Sequence, residues 1–472
     1  MPEPVLFNTQ GRQLAPLVPV EPGVVRMYTC GPTVYNEVHI GNLRTFLFED
    51  LLRRSLAYLG YRVVQVMNLT DVDDKTILGA HRAGLTLADY TEPFIESFLR
   101  DLDTLHLERP EHFPRATEHI PEILELIERL IERGFAYESD GSVFFSIARD
   151  PDYGKLSGFD LAQVRRGDRV ANDEYAKDDV RDFALWKAVK PGEPAWDSPW
   201  GPGRPGWHVE CSAMAMKYLG ETFDLHCGGV DLIFPHHENE IAQSESATDQ
   251  TFVRHWVHSE HLIVDGQKMS KSLGNQYTLT DLLGRGYAAR AIRYLFLSVH
   301  YRQKLNFTFE SLDGAAGALR RVDEMRFRLA HAAEAGEPDA RLAASVERLK
   351  TDFATALADD LNAAAALAAL FVFVKEVNVA IEEKRIGGGD RERIAAALAD
   401  VDRVLGVLDP AAWPAEAPAA DDDAAEIESL IQARNDARKR RDFAEGDRLR
   451  DELTARGIVL EDTPQGTRWK RR

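Results

Sequence analysis

The sequence predicts an α/β fold of the nucleotide-binding type, followed by a helical bundle and a small C-terminal domain. Three observations support this prediction. An apolar strand at 24–29 and a helical pattern at 43–59 flank a turn that contains Gly41. Between 312 and 408, apolar residues recur at helical spacing through Ala-rich stretches. A Pro- and Ala-rich linker at 409–418 then leads to a basic end. The 472 residues leave room for about three such domains.

The first turn predicts a phosphate site. It carries the tetrapeptide His39-Ile40-Gly41-Asn42, directly before the helical pattern. Strand-to-helix turns of α/β folds bind phosphates, because helix amides point at the ligand there. Gly41 allows a nucleotide to approach the backbone closely, while His39 and Asn42 offer hydrogen-bond donors to a triphosphate.

A second motif, Lys268-Met269-Ser270-Lys271-Ser272, follows a turn at Asp265-Gly266. A Lys/Ser stretch is usually only a solvated loop. Here it supplies two ammonium groups, and each could neutralise phosphate charge in a transition state. The chain contains no G-x-x-x-x-G-K-[ST] loop, which removes the commonest alternative ATP site.

The cysteines predict a compartment. Cys30, Cys211 and Cys227 are the only three, their spacing shows no pairing, and the N-terminus does not resemble a secretory signal. A disulfide framework is therefore not expected, and a cytoplasmic protein is. Cys227 runs into a glycine turn, so we expect it to be a small buried hydrophobe.

A metal site is the alternative use of the other two cysteines. Cys30 ends the first strand, and Cys211 precedes a segment in which Pro235 suits a helix N-terminus. His236 and Glu240, at i and i+4, would then share one helical face. Such a pair is more often a surface interaction. Two thiolates, one imidazole and one carboxylate can nevertheless close a Zn²⁺ site.

The two motifs, in this order, resemble the paired signatures of the class I aminoacyl-tRNA synthetases, although Asn42 stands where the general pattern has a second His. The segments 27–35, 207–214 and 234–240 resemble those of the cysteinyl-tRNA synthetases, and the similarity extends from residue 7 to residue 469. This resemblance implies a Rossmann-type class I synthetase catalytic domain with an inserted connective module, then the bundle and the small C-terminal domain.

Domain boundaries follow from combining the resemblance with the sequence pattern. We expect the first catalytic half at 1–130, the connective insertion at 131–200, the second half at 201–261, a stem-contact segment with the second signature loop at 262–311, a tRNA-binding helical bundle at 312–408, and an anticodon-recognition domain at 421–472.

The resemblance also implies roles for single residues. The implied catalytic residues are His39, Asn42, Lys268 and Lys271. ATP would contact these four together with Gly41 and Asp231, the latter at the ribose. Thr70 would lie near the amino group of the amino acid, and Trp207 would form an aromatic wall, although an indole is more often core. The implied zinc ligands are Cys30, Cys211, His236 and Glu240. Asp73 and Asp74, beside Thr70, are expected to be helix N-terminal charges.

The implied activity is ATP-dependent activation of L-cysteine to cysteinyl-adenylate and its transfer to the 3′ end of tRNA(Cys). One Zn²⁺ per chain would select the substrate, and Mg²⁺ would arrive with ATP. Cysteine and serine differ by one atom, which pocket shape alone discriminates by roughly 1–3 kcal/mol. A thiol is deprotonated on zinc, whereas a hydroxyl is a much poorer ligand. We further expect a monomer without a membrane partner, since no transmembrane run is evident.

Charge argues for a local RNA surface. The net charge of −20, 57 basic minus 77 acidic residues, is unlike that of a general nucleic-acid binder. Residues 430–472 carry 12 Lys and Arg against 8 Asp and Glu, a local net charge of +4. A frayed end is the ordinary reading of the last few residues. With the resemblance, Arg468 and Trp469 are expected to bind tRNA by cationic contact and stacking.

Two other functions stay open at this point. A cysteine:amino-sugar ligase of low-molecular-weight thiol biosynthesis would share the catalytic core and zinc site but lack a basic anticodon-reading end. A non-catalytic, synthetase-like RNA-binding regulator would not require the intact His39, Lys268 and Lys271.

Overall fold

The computed structural model of the protein describes residues 1–158, 181–334, 336–414, 424–440, 442–455, 458–463 and 466–471. The chain forms two compact units, Met1–Trp413 and Pro414–Arg472. The strands of the first unit are β1 (Val5–Asn8), β2 (Gln13–Pro16), β3 (Val24–Thr29), β4 (Arg62–Met67), β5 (Ala136–Ser139), β6 (Ser142–Phe145), β7 (Phe183–Ala188), β8 (Gly203–Pro205), β9 (Phe223–Gly229), β10 (Val253–Ser259), β11 (Leu262–Val264), β12 (Gln267–Lys268) and β13 (Leu305–Phe307). Its helices are α1 (Ile40–Tyr58), α2 (Asp74–Ala83), α3 (Leu87–Thr104), α4 (Ile120–Glu132), α5 (Trp207–Leu219), α6 (Glu238–Thr248), α7 (Leu279–Gly284), α8 (Ala289–Leu297), α9 (Phe309–His331), α10 (Ala340–Ala358), α11 (Ala363–Glu382) and α12 (Asp390–Leu405).

A four-stranded parallel sheet organises the first unit, with strand order β10-β9-β3-β4. The chain leaves β3 through α1 and returns as β4 on one side, and it leaves β9 through α6 and returns as β10 on the other. The winding direction therefore reverses between β3 and β9. In open α/β sheets, ligands bind at that reversal, outside the carboxyl ends of the strands.

Burial explains why these segments form the sheet. All of β9 and all but one residue of β3 are buried, as parallel strands covered on both faces require. The strand predicted at 24–29 is β3 itself. The predicted helix at 43–59 begins earlier, at Ile40, because His39 caps it. The predicted α/β class is confirmed.

An antiparallel sheet of order β5-β6-β7-β8 lies between the two halves of the parallel sheet in the sequence. Its apolar side chains, among them the wholly buried Trp186, pack with those of α4 and α5. The expected connective insertion at 131–200 overlaps this sheet. Residues 159–180 of that insertion lie outside the described residues.

The bundle helices pack against the helix that begins after His39. Side chains of α8 to α12 share one apolar core with α1. The wholly buried Arg293 of α8 donates to Asp50 of α1 at 2.7 Å and to the carbonyl of Leu405 at the end of α12, also at 2.7 Å. The bundle is thus fixed to the signature helix by a buried ion pair as well as by apolar contacts.

The N-terminal strand is held by the bundle rather than by its own sequence neighbours alone. The amide of Phe7 in β1 donates to Asp360, between α10 and α11, at 2.9 Å, and the amide of Asp360 donates to the carbonyl of Val5 at 2.9 Å. Tyr301 also donates to the Asp360 carboxylate. Asp360 and Leu361 both have positive φ, 54° and 53°, so the helix connection is sharply turned where it meets β1.

Helix α11 is long and apolar enough to cross a membrane, whereas no transmembrane run was expected from the sequence. Its apolar residues include a face that packs into the bundle core against α9 and α10. Length and composition are weak indicators, since a bundle core helix passes the same test. The buried face consists of Ala363, Ala366, Leu367, Leu370, Phe373, Val374, Val377 and Ala380.

The start of the predicted linker belongs to the first unit. Trp413 is 7% exposed and stacks on His106, with ring centroids 3.8 Å apart. The composition of 409–418 suggested an unpacked segment, but the indole buries enough apolar surface to hold residues 410–413 in place.

The second unit pairs two helices with a hairpin. These elements are α13 (Ala424–Lys439), α14 (Phe443–Ala455), β14 (Ile458–Thr463) and β15 (Gly466–Arg471). A small apolar core joins them, formed by Ile427, Ile431, Leu453 and Ile458. Arg468 and Trp469 lie in β15, opposite Glu461 and Leu460, and their side chains are outside the described part.

Candidate active site

Four buried metal-binding groups meet at the carboxyl end of β3. The ligand atoms of Cys30, Cys211, His236 and Glu240 all lie within 4.8 Å of one another. His236 Nε2 is 3.1 Å from Glu240 Oε1 and 3.6 Å from Cys30 Sγ. The exposed fraction of these residues ranges from 0% to 8%. This cluster has the donor set and closeness that a Zn²⁺ ion requires.

A second quartet overlaps the first. Cys30, His226, His237 and Glu240 also bring one ligand atom each within 4.8 Å of the others. Glu240 Oε2 lies 2.9 Å from His226 Nε2, while Oε1 lies 3.1 Å from His236 Nε2 and 3.9 Å from His237 Nε2. His237 Nε2 is 3.4 Å from Cys30 Sγ. The two quartets therefore contain more potential ligands than one four-coordinate ion can use.

The groups of the first quartet differ in charge. The pKa of Cys211 falls to about 6, mainly because Cys30 donates a hydrogen bond to its sulfur. Burial and the neighbouring Cys211 raise the pKa of Cys30 well above its usual value. Burial raises the pKa of Glu240, but His226 and His236 outweigh it and hold this pKa at about 2. Burial lowers the pKa of His236, but Glu240 and Cys211 outweigh it and raise this pKa to about 10. A divalent cation bound here would therefore displace protons from His236 and Cys30.

The outer imidazoles form a hydrogen-bonded chain. His237 Nδ1 is 2.8 Å from His258 Nε2, and His258 Nδ1 is 2.7 Å from the hydroxyl of Thr9. Burial lowers the pKa of His237 well below its usual value and that of His258 to about 3, so both rings are neutral. A neutral imidazole has one donor and one acceptor nitrogen, so each link of this chain fixes the tautomer of the next.

The first signature is a reciprocal helix cap. His39 Nδ1 accepts from the amide of Asn42 at 3.2 Å, and Asn42 Oδ1 accepts from the amide of His39 at 3.2 Å. The ring proton of a neutral His39 is therefore on Nε2, which can donate to a ligand. An amide side chain at 42 supplies the acceptor that this cap needs.

The two signatures touch. The amide of Ile40 donates to the carbonyl of Tyr277 at 2.9 Å, and His39 pairs with Thr278 in an antiparallel bridge. A Cβ on Gly41 would lie 2.8 Å from Met269 Cε and 3.1 Å from the His39 ring. Gly41 thus allows the second signature to approach the first.

Replacement of Gly41 by alanine is expected to displace Met269 and lower the rate of adenylate formation by up to about 10²-fold, the size of effect that a small misplacement of reacting groups produces. Pyrophosphate exchange measures this rate. Gly314→Ala is the matched control, because a Cβ there meets nothing within 4 Å. A Gly41→Ala protein that exchanges pyrophosphate as fast as Gly314→Ala would contradict the close-packing argument.

The second signature follows a tight hairpin. Asp265 and Gly266, with φ of 49° and 74°, connect β11 to β12, as Asp-Gly turns of this type do. Lys268 ends β12 and is exposed. Asn275 then folds the loop, since its Oδ1 accepts from the amide of Ser270 at 2.8 Å and its Nδ2 donates to the Lys268 carbonyl at 3.3 Å. Lys271 begins a short 3₁₀ turn, and its side chain lies outside the described residues.

One cleft connects these groups. A cavity of about 370 Å³ is lined by Cys30, His39, Asn42, Trp207 and Asp231, among others. It therefore connects Cys30 of the metal cluster to the first signature and to the residues expected at the substrate and ribose. Trp207, the first residue of α5, is 36% exposed and stacks on His236 with centroids 4.3 Å apart.

Two other expected contacts are placed differently relative to the cleft. Asp231 is exposed, and a Cβ on Gly229 would lie 2.4 Å from its Oδ1, so a glycine there accommodates the carboxylate. Thr70 is 1% exposed, accepts from Asn68 Nδ2 at 3.0 Å and lies behind the loop at Gly31 rather than on the cavity wall.

Asp73 and Asp74 serve α2, as the sequence predicted. Asp73 caps the helix by accepting from the amide of Lys75, and Asp74, in its first turn, binds Lys187 and Arg204.

Most of the imidazoles around the site were not predicted from the sequence. These are His208, His226, His237 and His258. Their signal in the sequence is weak, because β9 and β10 become neighbours only in the sheet, where His226 pairs with Trp256 and His258 with Gly228. Cys227, wholly buried in β9 among apolar side chains, belongs to neither quartet.

Comparison with protein families gives three matches along the chain. Residues 16–317 match the model of the class I (C) tRNA synthetase catalytic domain, residues 352–409 match the DALR domain, and residues 420–469 match the cysteinyl-tRNA ligase anticodon binding domain.

Similar proteins cover the whole chain. The cysteine–tRNA ligase of Solibacter usitatus is 50% identical over 466 residues, which is 99% of each chain. That of Protochlamydia amoebophila is 45% identical over 472 residues, covering 99% of this chain and 97% of the other. Among solved structures, methionyl-tRNA synthetase of Mycobacterium tuberculosis in complex with methionyl-adenylate has a TM-score of 0.59 and 16% identity, covering 82% of this chain and 90% of that one. The last similarity establishes a shared fold.

Proposed function

The chain belongs to the cysteine–tRNA ligases, a family of class I aminoacyl-tRNA synthetases, and we propose that it performs both steps of cysteine ligation in the cleft at the end of β3. The observation that carries the proposal is the position of two thiols, an imidazole and a carboxylate at the base of the cleft that the first signature lines. The activity is activation of L-cysteine with ATP, followed by transfer to tRNA(Cys).

In the first step the cysteine carboxylate attacks the α-phosphate of ATP, and pyrophosphate leaves. His39 donates from Nε2 to a phosphate oxygen, and the Asn42 amide adds donors beside it. Lys268 and Lys271 neutralise the charge that develops on the leaving pyrophosphate. Asp231 accepts hydrogen bonds from the ribose hydroxyls, a task suited to an acceptor-only side chain. The Mg²⁺ expected with ATP stays a prediction.

We assign zinc to Cys30, Cys211, His236 and Glu240. This quartet has two sulfur donors, and its members have outer partners of the kind that orient metal ligands: His226 on Glu240 and His208 on His236, the latter with Nδ1 atoms 2.9 Å apart. When bound, zinc supplies a position at which a thiolate is a far better ligand than a hydroxyl. We assign Trp207 to the wall of the amino-acid pocket on the cleft side, and Thr70 to the neighbourhood of the amino group.

In the second step a hydroxyl of the terminal adenosine of tRNA, the 2′-hydroxyl in class I chemistry, attacks the activated carbonyl and AMP leaves. We assign acceptor-stem contact to 262–311, further tRNA contact to the bundle at 312–408 and anticodon reading to 421–472, including Arg468 and Trp469. The family match at 420–469 supports the last assignment and disfavours the amino-sugar ligase. The intact signatures disfavour a non-catalytic regulator.

The direct test is pyrophosphate exchange with each standard amino acid, with and without tRNA. Cysteine alone should support exchange, and serine should not. Exchange with another amino acid, or with none, would contradict the proposal. A cytoplasmic location and a monomeric state remain predictions, to be checked by fractionation and by light scattering.

Truncation after Pro418 is expected to separate the two steps. Because Met1–Trp413 is compact and contains every residue assigned to activation, the truncated protein should keep zinc and cysteine-dependent pyrophosphate exchange. It should lose tRNA affinity, show a flatter salt dependence and no longer discriminate altered anticodons, since the cationic and stacking contacts are removed.

The measurement is transfer kinetics with matched and anticodon-mutated tRNA(Cys) transcripts over a range of salt. The full-length protein with the double substitution Arg468→Ala and Trp469→Ala keeps the bulk of the C-terminal unit but lacks these two proposed contacts, so it should also discriminate altered anticodons less well. Equal anticodon discrimination in full-length and truncated protein would show that the C-terminal unit is not the reader.

A further inference from the structure

We infer that Tyr35 and Lys75 form the binding surface for the 3′-terminal nucleotides of tRNA, with a base on the Tyr35 ring and a phosphate at the Lys75 ammonium. This inference rests on the proposed function. Both residues line the same cavity as His39, Cys30 and Trp207. Neither has a role in the assignment of cysteine activation above.

Tyr35 is an exposed aromatic ring on the wall of a polar cleft. It is 36% exposed, although the loop that carries it is firmly held. The amide of Val34 donates to the carbonyl of Thr70 at 3.1 Å, and Thr33 pairs with Thr70 in a parallel bridge. An ordered aromatic ring left partly open to solvent is typical of surfaces that stack unpaired bases.

A second tyrosine supports the loop from α3. Tyr90 donates its hydroxyl to the carbonyl of Tyr35 at 2.9 Å. It reaches that position across α2 at Gly79, where a Cβ would lie 2.2 Å from the Tyr90 hydroxyl oxygen. Tyr90 thus supports the backbone of the loop at Tyr35 and leaves the Tyr35 ring exposed.

Lys75 adds the charge. Its ammonium lies over the Tyr35 ring, 5.0 Å from the centroid, and Lys75 forms no ion pair with a carboxylate in the described part of the chain. Asp74, its neighbour, is instead committed to Lys187 and Arg204. An exposed cation beside an exposed aromatic ring is the pairing that single-stranded nucleic acid binds through its phosphates and bases.

The position in the cleft favours the tRNA end over the small substrates. In the proposed function, His39 contacts the phosphates of ATP, Asp231 contacts the ribose, and Trp207 contacts the amino acid. Tyr35 and Lys75 line a part of the same cavity that has no assigned contact with ATP or cysteine. A nucleotide held there has access to the activated carbonyl, as the second step demands.

The experiment separates the two steps in full-length protein. Preformed enzyme-bound cysteinyl-adenylate is mixed with tRNA(Cys) and single-turnover transfer is followed, while pyrophosphate exchange is measured in parallel. Tyr35→Ala should lower transfer efficiency by roughly 10-fold to 100-fold, as loss of one stacked base does, and leave exchange within about twofold. Lys75→Ala should lower transfer and reduce the slope of log K against log salt by about 0.7, as loss of one single-strand phosphate contact does.

Conservative variants and a control fix the interpretation. Tyr35→Phe should transfer like the unchanged protein, because the ring is kept, and Lys75→Arg should restore the salt slope. Tyr90→Phe should raise KM for tRNA more than it changes exchange, since the loop loses its support. Leu78→Ala, an exposed position on α2 outside the cavity lining, should leave both steps unchanged.

Two results would overturn the inference. Equal losses of exchange and transfer in Tyr35→Ala would show that Tyr35 contacts ATP or cysteine. Unchanged transfer in both alanine variants would show that Tyr35 and Lys75 do not bind tRNA. Absence of cysteine-dependent exchange in the unchanged protein would instead contradict the proposed function itself.

Discussion

Replacement of Cys211 or His236 by alanine is expected to remove zinc and cysteine activation together, to below detection. Each substitution leaves three of the four proposed ligands, while the second quartet keeps all of its members but has only one sulfur donor. We expect neither set to retain zinc through purification, because the proposed site depends on two thiolates, an imidazole and a carboxylate together. Elemental analysis of purified protein and cysteine-dependent pyrophosphate exchange are the two measurements, with one zinc per chain expected for the unchanged protein.

Cys227→Ala is the matched control, since Cys227 is as buried as Cys211 but belongs to neither quartet. It should keep both zinc and exchange. His226→Ala removes an outer partner of Glu240 and should weaken zinc binding by about 10-fold to 100-fold without abolishing it. Full exchange by a protein that contains no zinc would refute the assignment.

Alanine at Lys271 is expected to slow adenylate formation by about 100-fold to 1,000-fold, or 2.7–4 kcal/mol, which is the loss found when a single electrostatic stabiliser of a transition state is removed. In the proposed function, the ammonium contacts the leaving pyrophosphate and contributes little to the bound ground state. The loss should therefore appear in kcat, with the KM for cysteine nearly unchanged.

Steady-state pyrophosphate exchange over a range of cysteine and ATP concentrations measures both constants. Lys304→Ala supplies the control for loss of an exposed lysine on the first unit. If Lys271→Ala and Lys304→Ala exchange equally fast, Lys271 is a surface lysine and the transition-state role is lost.

Local patterns predicted those parts of the fold in which each residue's environment is set by its neighbours in sequence. The strand at 24–29 was predicted to the residue, because five of its six side chains are buried and apolar runs mark such strands. The apolar run at 61–66 also predicts a strand, and β4 lies one residue later, at Arg62–Met67. Terminal residues of this kind depend on caps and pairing that the pattern does not contain.

Site residues that belong to a sequence motif could be predicted. Site residues that the sheet brings together from distant strands could not. The thiol pair and the His236–Glu240 spacing stood out in the sequence. The imidazoles that surround them did not stand out, because His226 and His258 lie on two strands, β9 and β10, that become neighbours only in the folded sheet. The capping role of Asn42 was also missed, since a cap depends on the exact start of a helix and that start was placed at residue 43.

The hydrogen bonds between β1 and Asp360 delay the completion of the fold until most of the chain has been synthesised. Phe7 emerges from the ribosome early, but its partner is 353 residues further along the chain. The metal cluster likewise cannot form before Glu240 has emerged, 210 residues after Cys30. A nascent chain therefore carries an N-terminal hairpin without its bundle contact until residue 360 has emerged, and separated thiols until residue 240 has emerged. Strand edges and thiols in that state are targets for chaperones and for oxidants, so the yield of this enzyme in a cell should depend on translation speed and on thiol redox state.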